Sequence, residues 1–314
     1  MATTTQTIGN VNSGSGASST KVLAFYDKVL LKTLAQREFK HQDFGQKRPM
    51  PKRSGDTVNF RRVGKLAINT TPLTEGVTPN SDSASITAIT ATTAQYGRFL
   101  EFSDLIDIQQ IDNIVAEYVV ELGRVMSETL DTLTRDVLLT STNVFYEDGT
   151  SPATVTLKPS LKTFRKAALA LKRSYVKGLN GGDYVALISP TTSFDLLDDP
   201  DFQKAMQYGQ NAKPMYDNEI GRIYNIRFVE CLNAKSNATQ VASILLGDQG
   251  YGITKIEGED AKTIIKTLGD SGTSDPLNQR QTIGIKINAF VAKILTPEAV
   301  AVIWHKPTNA IPAN

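Results

Sequence analysis

The chain has 314 residues, 40% of them apolar, enough to bury the core of one large domain or two ordinary ones. Lys and Arg number 34 and Asp and Glu 32, so the formal charge of +2 argues against a chain-wide basic surface for gripping a duplex and leaves room for a local patch. The single cysteine, Cys231, excludes an intramolecular disulfide and a CxxC metal motif, and no run of about 18 apolar residues offers a membrane span.

Residues 1–20 are Thr, Ser, Gly, Asn and Gln with almost no apolar content. No signal peptide is expected there, and the segment should be mobile when alone, either a frayed end or an arm that orders on a neighbouring subunit. Val22, Phe25, Tyr26, Val29, Leu30 and Leu34 then recur at helical spacing and predict a short amphipathic helix over 21–36.

Residues 45–100 are rich in Thr, Ser, Gly and Pro. Val58 and Phe60 alternate with Thr57, Asn59 and Arg61, and Ile86, Ala88 and Thr90 alternate with Thr87, Ile89 and Ala91. A two-residue period on both limbs predicts a long two-stranded excursion with Pro72, Gly76 and Pro79 near its tip. An isolated hairpin is marginal in water, so this one needs a surface to lie on. The dense basic run Lys47, Arg48, Lys52, Arg53, Arg61, Arg62 and Lys65 falls in the same segment. It is read as contact with a neighbouring subunit in preference to a solvated loop or packaged nucleic acid.

The strongest periodic signal spans 104–142, where Ile111, Ile114, Val115, Tyr118, Leu122, Val125, Met126, Leu130, Leu133 and Val137 advance by three and four. One helix over 112–142 is predicted, capped by Asp107 or Asp112, with pairs such as Asp131 and Arg135 on its outer face. Pro152 to Pro159 reads as a short strand and turn. Leu161, Phe164, Ala167, Ala168, Leu171 and Tyr175 mark a second helix with Ser160 as N-cap, ended by Gly178, Gly181 and Gly182. Further on, Tyr184–Ser189 reads as a buried strand and Thr191–Leu197 as a helix. Tyr224 to Phe228, Val241 to Leu246, Ile283 to Val291 and Ala299 to Trp304 read as strands. The pattern is α+β, without a regular βαβ series.

Catalytic motifs are absent from the sequence: there is no HExxH, P-loop or GxSxG. His41, in a charged loop, and His305, beside a C-terminal strand, are read as solvated or structural. Asp195, Asp198, Asp199 and Asp201 form an acidic cluster without calcium-loop spacing. Cys231 follows an apolar strand and is read as a small buried hydrophobe. No catalytic residue, metal site or cofactor is expected.

The run RRVGKLAINTTPLTEGVTPN, then TTAQYGRFLEFSDLIDI and the helix ending ETLDTLTRDVL, resembles a family of tailed-phage major capsid proteins with the Hong Kong ninety-seven-type fold. ALISPTTSFDLLDDPDF, NEIGRIYNIRFVEC and QRQTIGIKINAFVAKILTPEAVAVI resemble the same family, so the likeness runs from about Arg53 to Ile303. It implies an N-terminal arm over 1–44 and an extended loop over 45–103. A peripheral domain would cover 104–156, its spine helix at 112–142; an axial domain would cover 157–280, and return strands of the peripheral domain 281–314. It implies a structural subunit, not an enzyme, that assembles with copies of itself into pentamers and hexamers around double-stranded DNA. Portal, scaffolding and decoration proteins would be further partners, DNA would touch the wall weakly, and no membrane would be involved. The site would be the virion capsid, assembled in the host bacterial cytoplasm. The candidates for inter-subunit contact are Arg61, Arg62 and Lys65 at the base of the excursion and Leu73, Glu75 and Val77 near its tip. Two other readings are a cellular nanocompartment shell of the same fold and an α+β enzyme using the Asp195–Asp201 cluster.

Overall fold

The computed structural model describes residues 40–64, 66, 68–78, 81–105, 114–179, 182–207, 219–237, 239–258, 261–270 and 275–309. The expectations for residues 1–39 of the arm, the 21–36 helix, Lys65, Pro79, Asp107 and Asp112 lie outside them. Residues Ile114–Leu139 form one uninterrupted helix, α1, on the order of 39 Å long at 1.5 Å per residue. Val119, Leu122, Met126, Leu130 and Leu138 bury its inner stripe. That stripe lies on a 15-residue strand, β13 (Arg280–Ile294), whose Ile283, Ile285 and Ile287 face it at two-residue spacing. The helix departs from expectation at one turn. Asp131 and Arg135 are buried, not on the outer face. The outer face carries Arg124 instead, 2.6 Å from Glu121 and 3.1 Å from Glu128.

The β13 strand organises the first sheet. It pairs along one edge with β4 (Ala94–Ser103) and along the other with β11 (Tyr251–Ile256) and β12 (Lys262–Lys266), which follow each other end to end. The short β1 (Gln46–Met50) adds in parallel to β11.

The second sheet runs β5 (Asn143–Tyr146), β14 (Val300–His305), β10 (Gln240–Leu246), β6 (Tyr184–Ile188), β8 (Ile226–Glu230), β7 (Glu219–Ile223), with the two-residue β9 (Ser236–Asn237) on β10. Its strands β14, β10 and β6 are mostly apolar and buried at all but Gln240, because both faces are covered. Val185 and Leu187 belong to the core under α1; Tyr184, Ala186 and Ile188 belong to the core under α2 (Leu161–Arg173). There Phe228 stacks edge-on against Phe164 at 5.3 Å and Phe202 at 5.7 Å. Phe228→Ala should therefore cost about 3–5 kcal/mol in the denaturant melt of the unassembled subunit, because it opens a cavity between two rings.

β14 pairs with β10 and β5, while β11 and β12 sit in the sheet of β13. Several expectations about single elements need correction. Pro152–Thr154 is a 3-10 turn, and the strand lies earlier, at β5. The helix α2 ends at Arg173, before the glycines. Tyr175 takes a left-handed φ of 59°, and the Tyr175 and Val176 amides donate to the Lys172 and Leu171 carbonyls. That is a Schellman closure with tyrosine where glycine is usual, leaving its ring in solvent. Ser160 holds the N-cap position of α2 without capping it; Glu147 accepts from its amide at 2.7 Å and Asp199 accepts from the Leu161 amide at 3.1 Å. Tyr224 is not in a strand but, with Asn225, forms the left-handed turn between β7 and β8. Two short helices, α3 (Pro190–Leu197) and α4 (Pro200–Gln207), follow β6.

Candidate assembly surface

The excursion forms as its alternation predicts. β2 (Thr57–Val63) pairs antiparallel with β3 (Ile86–Thr92), from Thr57 opposite Thr92 to Val63 opposite Ile86. Its base is anchored on its own chain: Phe60 and Ala91 are buried against Leu295, with Val58, Ile89 and Val291 around them. The Arg48 guanidinium lies 5.5 Å from the Phe60 ring centroid. Arg62 is paired within the chain, 2.9 Å from Glu298, whereas Arg61 is exposed on the next position.

From the last pair of these strands outward the cover ends. Val63, Leu66, Leu73, Val77 and Ile86 are all largely exposed, and Ile68 is 90% exposed. Leu73, Glu75 and Val77 gather at one turn, where Gly76 takes a φ of 74° and the Val77 amide donates to the Thr74 carbonyl. The candidate residues thus divide into Arg61 and Arg62 at the anchored base and Leu73, Glu75 and Val77 at the uncovered tip. The additional apolar positions Val63, Leu66, Ile68 and Ile86 were legible as isolated hydrophobes in a Thr- and Pro-rich stretch.

The chain entering β1 is fastened by a buried polar cluster. The Asp131 carboxylate of α1 accepts from the His41 amide at 2.9 Å, meets the His41 Nδ1 at 2.7 Å and accepts from the Asn233 Nδ2 at 3.1 Å. The Cys231 Sγ sits 3.3 Å from the same ring nitrogen, and the Tyr251 hydroxyl donates to the His41 carbonyl. Arg135 completes the group, donating to the Asn233 Oδ1 at 2.8 Å. Burial alone would depress the imidazole pKa; the hydrogen bonds the ring makes to Asp131 and Cys231, with the Asp131 charge, outweigh it and raise it to about 9. Burial, with the Asp131 charge nearby, pushes the Tyr251 phenol above its usual range.

His41, Asp131 and Cys231 bring three ligand-type atoms within 4.8 Å of one another. The 2.7 Å from imidazole to carboxylate is a hydrogen-bond separation. Two ligands on a tetrahedral zinc ion would stand about 3.3 Å apart, so the spacing suits an imidazolium–carboxylate pair. His41 is thus structural, but buried and not part of a solvated loop. Cys231 is buried as expected and is in addition a polar neighbour of that ring. His305 is buried as well; desolvation holds it neutral with a pKa near 3, and its Nε2 lies 2.7 Å from the Thr192 hydroxyl of α3.

The acidic cluster does not converge. Asp195 accepts from the Thr308 amide at 2.7 Å, and Asp199 accepts from the Asp201 amide at 3.0 Å besides that of Leu161. Among the described residues these carboxylates do not bring three ligand atoms together as His41, Asp131 and Cys231 do.

A family model described as phage capsid protein matches residues 86–303. No curated protein matches the chain by sequence. Among solved structures, the chain is similar to the capsid protein of cyanophage Pam1 at 14% identity, covering 98% of each chain with a TM-score of 0.66. It is similar to that of Ralstonia phage GP4 at 13% identity, covering 99% of this chain and 96% of that one, TM-score 0.64. A virus-like particle from Pyrococcus furiosus is similar at 11% identity, covering 90% of this chain and 99% of that one, TM-score 0.55. At these identities the likeness carries the fold.

Proposed function

The chain belongs to the phage capsid protein family and is a major capsid protein of a phage head, and from that premise we propose how its parts assemble the shell. Copies associate with one another in the capsid of the virion. In the proposed division of labour, the excursion over 45–103 reaches across a neighbouring copy. α1 and the sheet of β13 form the peripheral body, and the second sheet with α2 forms the axial domain at the fivefold and sixfold positions. Arg61, Arg62, Lys65, Leu73, Glu75 and Val77 make the contacts. The observation that carries the proposal is the row of apolar side chains from Val63 onward that the described residues leave uncovered. A soluble monomer gains nothing from such a row; a shell subunit buries it on its neighbour.

The contacts are heterologous, and their rotation closes into rings of five and six. Each is weak alone, and a subunit held by several neighbours gains effective concentration without new chemistry. Portal, scaffolding and decoration proteins are proposed partners, with assembly in the host bacterial cytoplasm around double-stranded DNA. The nanocompartment reading is not favoured, because the matching family model is that of phage capsids. Negative-stain microscopy of the overexpressed chain tests the proposal. Closed shells tens of nanometres across are expected. Shells that carry protein cargo in place of nuclease-protected DNA would return the nanocompartment reading. A subunit that stayed small with every co-expressed assembly partner would end the shell reading.

A further inference from the structure

The near-neutral net charge hides a strong local imbalance. The helix α2 reads LKTFRKAALALKR, with Lys162, Arg165, Lys166, Lys172 and Arg173 and no carboxylate. Its inner face is fixed by Leu161, Phe164, Ala167, Ala168 and Leu171 on the second sheet, so all five cations are held on the solvent side. All but Arg173 border a groove of about 480 Å³ between α2 and the β7–β8 turn, lined by Lys162, Arg165, Lys166, Leu169, Lys172 and Tyr224 among others, again without a carboxylate. The acids near the start of α2 are engaged by other donors: Glu147, which feels the charge of Lys166, accepts from Ser160 and Thr163, and Asp199 accepts from the Leu161 and Asp201 amides. Elsewhere on the surface Arg62, Arg124 and Arg222 each have a carboxylate partner.

We propose that this groove binds the phosphodiester backbone of the packaged nucleic acid. Three features favour it. The cations from Lys162 to Lys172 follow one helix face for about 15 Å, a repeated charge that matches a repeated anion. Arg165 is positioned in advance, its guanidinium carbon 4.3 Å from the Tyr224 ring centroid. Tyr224 in turn sits in a left-handed turn with Asn225, at φ 52° and 61°. A stacked guanidinium keeps its N–H edge open for a bidentate phosphate contact and loses little freedom on binding. Finally, lysine is depleted from the cores of protein–protein interfaces, and here it supplies half of the side chains named above. An acidic segment of a neighbouring protein is the competing occupant.

The inference rests on the container reading, and one experiment separates the two. Binding of a labelled 20-bp duplex to the purified full chain is followed by fluorescence anisotropy over a salt series. The triple variant Lys162→Gln, Lys166→Gln, Lys172→Gln is compared with wild type, with shell assembly and thermal melting scored in parallel. The variant should lower the magnitude of the slope of log K against log salt by about 3, at roughly 0.9 per lost phosphate contact, with shells and melting unchanged. Equal slopes in both proteins would overturn the proposal. Binding of poly-glutamate without binding of duplex would assign the groove to an acidic protein and overturn it as well. Loss of shells with duplex binding intact would overturn it in favour of a contact between copies. If wild type forms no shells with any partner yet the slope still drops, the groove stands and the container reading falls.

Discussion

Asp131→Ala should cost the unassembled subunit about 3–5 kcal/mol, the range for breaking a buried ion pair from one side. The carboxylate accepts from the His41 amide, the His41 ring and the Asn233 amide, and all four groups are buried. Removing it strands three donors and leaves an imidazolium without its counter-charge. Denaturant melts should show a lower midpoint at unchanged slope, and a double-mutant cycle with His41→Ala should show strong coupling, because each single change already breaks the pair. The same pair sets a pH dependence. The folded-state pKa of His41 lies near 9, above the ordinary 6.5. Its contribution is therefore full below pH 6.5, declines as pH rises between 6.5 and 9, and is gone above that window. The shift corresponds to on the order of 3 kcal/mol. Wild type should thus lose stability across that window relative to His41→Ala; parallel pH profiles would refute the role of the pair.

The sequence made some of this legible and hid the rest for physical reasons. The α1 stripe, the alternation of β13, the unbroken apolar run of β6 and the mostly apolar run of β10 are burial patterns, and burial is what periodicity reports. Asp131 and Arg135 looked like a surface pair because opposite charges four apart on a helix normally are one. Their partners, His41 and Asn233, lie some ninety or more residues away in sequence, and nothing local marks the inward turn of that face. Tyr175 and Tyr224 were misplaced for a related reason: both occupy left-handed positions usually given to Gly or Asn, so their aromatic character suggested helix and strand. The strands β5, β11 and β12 were missed because they are short and edged by Gly, Ser and charged residues. The excursion shows the limit most clearly. Its pairing could be read from one chain, since both limbs carry the alternation. The surface its tip covers could not, since that surface is not supplied by the described residues around it.

Leu73→Asp with Val77→Asp should abolish shells while leaving the subunit folded. Both side chains are exposed at the tip turn and touch no core, so the melt of the unassembled subunit should stay within about 0.5 kcal/mol of wild type. In a shell each would bury on a neighbour, a gain of about 1.5–3 kcal/mol per large apolar side chain. Losing both weakens every subunit contact by about 3–6 kcal/mol, two to four orders of magnitude in association constant at 1.4 kcal/mol per decade. Because each copy engages several neighbours, that loss compounds through the assembly. Arg61→Glu with Arg62→Glu should impair shells too, from the base. Part of that effect is internal: the Arg62–Glu298 pair is half-exposed and, after solvent screening, worth well under 1 kcal/mol to the fold. Reversal of Arg61 should therefore carry most of the assembly defect, and Arg62→Glu alone should be the milder variant. Sedimentation velocity and negative-stain counts at matched concentration measure both series. Normal particles from the Leu73, Val77 variant would remove the tip from the interface, and normal particles from both double variants would remove the excursion. Loss of shells only where the melt also falls would mean that the tip serves the fold. The 62% exposure of Val77 and 73% of Leu73 argue against that outcome, because a side chain in solvent has no packing to lose.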